Sequence, residues 1–190
     1  GGKTMEDTAI VQLYWDRDER AISATSEKYG GYCAAIAANI LGDRADAEEC
    51  VNDTYLRAWN AIPPHKPRIL STFLGKIVRN LSLNRWRQNT AEKRGGGVLP
   101  AVLDELAEVV SSAEDVERKV EETALISAIN DFLSQLSPEK RSMFICRYWR
   151  TDSVADIAAR CGMTPGAVTM TLSRLRAVLR KELLKRGFSI

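Results

Sequence analysis

The chain has 190 residues, 45% of them hydrophobic, and a formal net charge of +2, enough apolar material for one or two cored domains. No apolar run approaches the ~20 residues of a membrane span and no signal peptide precedes the first helix, so the expectation is a soluble cytoplasmic protein without membrane insertion. One histidine and four scattered cysteines give no zinc-ligand spacing, and there is no glycine-rich phosphate loop or nucleophile–base pair, so no metal, cofactor or catalytic residue is expected.

The distribution of charge says more than its sum. Residues 1–95 hold 14 Lys+Arg and 12 Asp+Glu, residues 96–125 hold 2 and 8, and residues 126–190 hold 11 and 5. Two basic blocks around an acidic strip suggest a polyanion partner for the ends and another role for the middle. Gly1 to Thr4 read as a cloning remnant ahead of Met5 and are set aside.

From about Asp7 to Leu41 the pattern is helical, with a break near Asp16–Asp18. Gly30-Gly31 marks either a kink or a close approach to a neighbour, since glycine costs ~1 kcal/mol inside a helix. In the next segment, GDRADAEECVNDTYLRAWN, Asp43 is a natural N-cap and Asp46 sits in the first turn. Ala47, Cys50, Val51, Thr54 and Ala58 share the face expected to be buried. The opposite face carries Glu48, Glu49, Asn52 and Asp53 together with Leu56 and Trp59. Apolar residues among carboxylates fit a protein-contact surface; a second packing surface within the same domain fits the periodicity equally well.

AIPPHKPR, 61–68, reads as a rigid loop. A helix then runs from Leu70 to Gln88 with Leu70, Phe73, Leu74, Ile77, Val78 and Leu81 on one face. Lys76, Arg79, Asn80, Trp86 and Arg87 fall on the other: charge for phosphates, ring and amide for bases. A solvated face with one packed tryptophan is the alternative. Residues 91–114, with a triple glycine and an acidic run, read as a flexible linker that can hold a short helix around Val102–Val110. A second helical domain follows, with Met143, Phe144 and Tyr148 facing its core. The four cysteines (Cys33, Cys50, Cys146, Cys161) lie in helical patterns and are expected to be buried free thiols.

The stretch from Asp152 to Arg180 is the most informative. Val154, Ile157, Ala158 and Cys161 form one apolar face, Gly162 ends that helix, Thr164 caps the next, and Pro165 sits in its first turn. Val168, Leu172, Leu175 and Leu179 supply the second stripe, while Arg174, Arg176, Arg180 and Lys181 offer charge to phosphates. This is the pattern of a helix-turn-helix; a plain helical hairpin is the alternative. The expected fold is all-α without a sheet: two helical domains, about 5–90 and 115–187, joined by the acidic linker.

Three segments in this order resemble one family. GDRADAEECVNDTYLRAW resembles the core-polymerase-binding segment of bacterial RNA polymerase sigma factors of the extracytoplasmic-function (ECF) type, in the sigma-70 family. TFLGKIVRNLSLNRWR resembles their promoter-melting helix, and LSPEKRSMFICRYW with the helix-turn-helix resembles their C-terminal domain. The resemblance implies a transcription initiation factor whose partners are core RNA polymerase, promoter DNA and an anti-sigma protein. It implies polymerase contacts by Asp43, Asp46, Glu49, Asn52, Asp53, Leu56 and Trp59. Lys66, Arg68, Lys76, Arg79, Asn80, Asn84, Trp86 and Arg87 would engage the minus-10 element, with a base held out of the stack. Thr164, Gly166, Ala167, Thr169, Met170, Ser173, Arg174 and Arg176 would meet the minus-35 element as duplex, and the linker would thread toward the RNA exit path.

Three positions depart from the family pattern. Thr169 and Thr171 stand where basic residues are usual, and Phe73 stands where tryptophan is usual. A stand-alone helix-turn-helix repressor would account for 126–190, but it would leave Leu56 and Trp59 among their carboxylates without a purpose.

Overall fold

The computed structural model describes residues 4–92, 98–107, 109 and 118–189. Every regular element among them is a helix: α1 (Asp7–Trp15), α2 (Arg20–Leu41), α3 (Arg44–Ala61), α4 (Leu70–Glu92), α5 (Val98–Ala107), α6 (Arg118–Gln135), α7 (Pro138–Tyr148), α8 (Val154–Cys161) and α9 (Pro165–Lys185). The chain divides into two compact units, Gly1–Gly95 and Gly96–Ile190.

In the first unit α2, α3 and α4 pack on one another and α1 lies against α2. The face of α3 expected to be buried is buried: Ala47, Cys50, Val51, Thr54 and Ala58. Thr54 satisfies its buried hydroxyl by donating to the Cys50 carbonyl at 2.7 Å. Of the two readings of Gly30-Gly31, close approach holds at Gly30, where a Cβ would meet the Tyr55 hydroxyl at 3.2 Å. The break between α1 and α2 contains Arg17 at φ 54°, in the left-handed region. Its guanidinium donates to the carbonyls of Trp59 (2.7 Å) and Ile62 (3.1 Å), satisfying backbone acceptors at the end of α3 that the helix itself leaves open. The loop from Ile62 contains two cis prolyl bonds, Ile62-Pro63 and Pro63-Pro64.

The second unit is built around Phe132, Met143, Phe144, Tyr148, Ile157, Ala158, Val168, Leu172, Leu175, Leu179 and Leu183. Each fully buried leucine or isoleucine contributes about 1.5–3 kcal/mol by leaving water. Thr164 caps α9 as expected from the sequence, and Ser153 caps α8. Ser153 accepts from the Asp156 amide at 3.1 Å and Thr164 from the Ala167 amide at 3.2 Å. Gly162, at φ 63°, takes the left-handed turn between α8 and α9.

Two features differ from the sequence expectation. Helix α5 falls inside the 91–114 stretch read as linker, yet it belongs with the second unit. Val102 and Leu106, four residues apart, pack into that unit's core, and Glu105 between them pairs with Arg147. The glycine run 95–97 and the acidic residues 110–117 lie outside the described residues. The cysteines also differ: Cys33 and Cys50 are buried, Cys146 is half-buried and Cys161 is exposed. Cys161 is the last residue of α8, where the helix gives way to the Gly162 turn, and it is exposed although its spacing puts it on the apolar face.

Candidate functional site

The outer face of α3 divides into two halves. In the first, Asp43 spends a carboxylate oxygen on the helix cap, accepting from the Asp46 amide at 2.9 Å. Asp46 in turn accepts from Arg85 (3.0 Å) and from Asn89 (2.9 Å) of α4, and Glu49 pairs with the same Arg85. The Asn89 amide and the Arg85 guanidinium together hold the Asp46 carboxyl below its ordinary range. These carboxylates therefore tie α3 to the far end of α4. In the second half Asn52 and Asp53 are exposed and Leu56 is 57% exposed. Trp59 is half-buried, with the Arg17 guanidinium 3.9 Å over its ring and Tyr14 tilted against it at 6.2 Å. Leu56 and Trp59 join Ile22 and Tyr55 in lining an open, largely apolar groove of about 590 Å³ between α2 and α3.

Arg85 and Asn89 were not among the sequence candidates. The one signal for them was the Asp46/Glu49 pair at i,i+3, which calls for a cation; periodicity within a helix does not say which neighbouring helix supplies it.

On α4, Lys76, Asn80, Asn84 and Arg87 are exposed and follow one another at three- and four-residue steps, forming a single row. Asn84 accepts from Arg87 at 3.2 Å. Lys66 and Arg68 in the preceding loop are exposed, and the Lys66 ammonium lies 5.9 Å from the Trp15 ring. Trp86 is half-buried. Arg79 differs from the outward cation expected of it: its side chain is set into the fold, and burial pulls its guanidinium pKa down from the ordinary value.

In the second unit Gly166, Ala167, Thr169, Ser173 and Arg174 are exposed along α9, as is Met170 at 56%. The Thr169 and Thr171 hydroxyls donate back to the carbonyls of Pro165 (3.0 Å) and Ala167 (2.8 Å), so their oxygens are left only as acceptors. Arg176 corrects the sequence reading. Its side chain is 12% exposed, and it donates to the Tyr148 hydroxyl at 2.8 Å and to Glu105 at 3.4 Å. Glu105 also accepts from Arg147 (2.9 Å) and Tyr148 (2.8 Å). Helical spacing gives Arg176 an outer position, but an acid on α5 draws it inward.

Burial alone would raise the Glu105 carboxyl; hydrogen bonds from Arg147 and Tyr148 and the charges of Arg147 and Arg176 outweigh it and hold the group below the usual carboxylate range. A depressed folded pKa gives stability that is full above the unfolded value, about 4.3, and is lost as pH falls through the folded one. The second unit should therefore melt at lower temperature at pH 3 than at pH 6, and Glu105→Gln should narrow that difference. Thermal melts of both proteins at the two pH values check it; an equal pH dependence would mean that the carboxylate is not paired as described.

Among the described residues no group of three His, Cys, Asp or Glu is placed to hold a metal ion, and no helix is long and apolar enough to cross a membrane.

Comparison with known proteins gives the same two segments. The Sigma-70 region 2 profile matches residues 26–92, and the Sigma-70 region 4 profile matches residues 126–179. A probable RNA polymerase sigma factor, RfaY, of Xanthomonas campestris pv. campestris is 29% identical over 80% of this chain; the match spans only 38% of that longer protein. ECF RNA polymerase sigma factor SigL of Mycobacterium tuberculosis is 29% identical over 80% of this chain and 82% of its own length. A solved structure, CnrH in complex with the cytosolic domain of CnrY, aligns at 20% identity and a TM-score of 0.45 over 96% of this chain and 99% of that one. The chain belongs to the extracytoplasmic-function group of the sigma-70 family of RNA polymerase sigma factors.

Proposed function

We propose that this chain is a cytoplasmic transcription initiation factor that binds core RNA polymerase and directs it to promoters with minus-10 and minus-35 elements. The observation that carries the reading is the second half of α3. Exposed Leu56, the adjoining groove and the uncommitted Asp53 make a protein-binding strip that DNA binding alone does not use. In this reading Asn52, Asp53, Leu56 and Trp59 meet the polymerase, and Asp43, Asp46 and Glu49 act by fixing α3 in place. The exposed row Lys76, Asn80, Asn84 and Arg87, with Lys66 and Arg68 of the loop, engages the non-template strand at minus-10. The exposed face of α9 reads minus-35 as duplex. An anti-sigma protein is the regulatory partner that the family membership suggests.

The proposal is tested by permanganate footprinting of promoter DNA with core polymerase. Unpaired thymines should appear on the non-template strand around minus-10 only when this chain is present. Footprints that are the same with and without it would refute the melting role. Replacing Lys76 and Arg87 by alanine should weaken binding to the single strand and flatten its log–log salt dependence by about 0.7 per lost phosphate contact. An unaltered slope would mean that this row does not touch phosphate.

A further inference from the structure

Residue Arg176 lies on one helical row with Thr169, Ser173 and Arg180, and those three are exposed. Arg176 alone is turned in, toward Glu105 of α5 and the Tyr148 hydroxyl of α7. Glu105 lies outside both segments that match the family, in the stretch between them. We propose that Glu105 is a positioning residue that holds Arg176 away from DNA and thereby limits the phosphate charge presented by the recognition helix. The proposal rests on the reading that α9 docks on duplex DNA.

The physical case is one of unequal depth. Glu105 faces two guanidinium groups, those of Arg147 and Arg176. Each has a second partner: Arg147 donates to the Asp152 carbonyl at 3.0 Å and Arg176 to the Tyr148 hydroxyl at 2.8 Å, but Arg147 is the more deeply set, 5% exposed against 12%. Arg176 is at the rim of the network. If the carboxylate is removed, two like charges are left side by side in a poorly hydrated site. The one nearer to solvent relieves the repulsion by swinging out, onto a row already open at Thr169, Ser173 and Arg180. A helix of the acidic segment thus acts on DNA affinity without touching DNA.

The test is a salt titration of full-length protein binding to a randomised 20-base-pair duplex. Glu105→Gln should steepen the log–log slope by about 0.9, the value of one added phosphate contact on duplex DNA. Adding Arg176→Met to Glu105→Gln should return the slope to that of the wild type. A Glu105→Gln slope equal to wild type, or a double variant as steep as the single, overturns the proposal. Arg174→Ala separates the underlying reading: if it leaves the wild-type slope unaltered, α9 does not meet DNA and both fall. If it flattens the slope while Glu105→Gln does nothing, the proposal falls alone. Where Glu105→Gln melts below the assay temperature, the wild type decides. On adding duplex, the guanidinium NMR signal of Arg174 should shift and that of Arg176 should stay; an Arg176 shift as large as that of Arg174 overturns the proposal.

Discussion

Replacing Asp53 by lysine and Leu56 by alanine is expected to lower the affinity for core RNA polymerase by about 3 kcal/mol, roughly 100-fold, while helix content stays as it is. Both side chains are exposed on the outer face of α3, and Leu56 makes up part of a groove wall. An exposed substitution away from caps and networks shifts stability by only about 0.5 kcal/mol. A central apolar anchor in an interface carries far more than that. Asp53 is the right partner for the test because Asp46 and Glu49 are engaged by Arg85. Asp46→Lys would set a cation against Arg85 and damage the α3–α4 junction, so lost binding could not be told from lost structure. Competition between variant and wild type for core polymerase measures the effect. Equal affinity would remove this strip from the interface.

Arg174→Ala should cost about 1–3 kcal/mol in binding to minus-35 duplex if the side chain pairs with a base, with preference relaxed at one position. The structure strengthens the case for this residue. Between Thr164 and Arg176 the only cations are Arg174 and Arg176, and Arg176 is engaged by Glu105 and Tyr148. Thr169 and Thr171 have hydroxyls committed to carbonyls one turn back. Threonine can still set its methyl against a thymine methyl, but it cannot make the bidentate guanine contact of an arginine. Thr169→Lys should then raise affinity for all sequences alike, by one phosphate contact. Selection of bound sequences from a randomised library at fixed salt reads both variants. A Thr169→Lys protein that binds no tighter would mean that this face of α9 does not lie along the backbone.

The helices and most capped ends were legible because they depend on neighbours in sequence, whereas α4 runs past the expected Gln88 to Glu92. Asp43, Thr164, Pro165 and Gly162 do local work, and each does it where the sequence places it. The buried face of α3 was legible for the same reason. What escaped the sequence was pairing between distant elements. Arg79, Arg85 and Arg176 look alike on a helical wheel, yet one is sunk by burial, one clamps α3 and one is held by α5. Whether a surface arginine is free depends on an acid 36 or 71 residues away. Composition also hid where α5 belongs: the acidic stretch predicts a short helix, but its packing shows only once Val102 is seen to be buried and Glu105 to be paired.

The central claim is that one chain joins core polymerase to a defined promoter. Run-off transcription with purified core RNA polymerase tests it most directly, using a library of genomic fragments as template. The account predicts transcripts with discrete 5′ ends that require this chain and share minus-35 and minus-10 sequences upstream, and that vanish with the Asp53→Lys, Leu56→Ala double variant. A chain that binds DNA fragments but leaves the transcripts of core polymerase scattered, as they are without it, would contradict the account and point to a DNA-binding protein that works without polymerase.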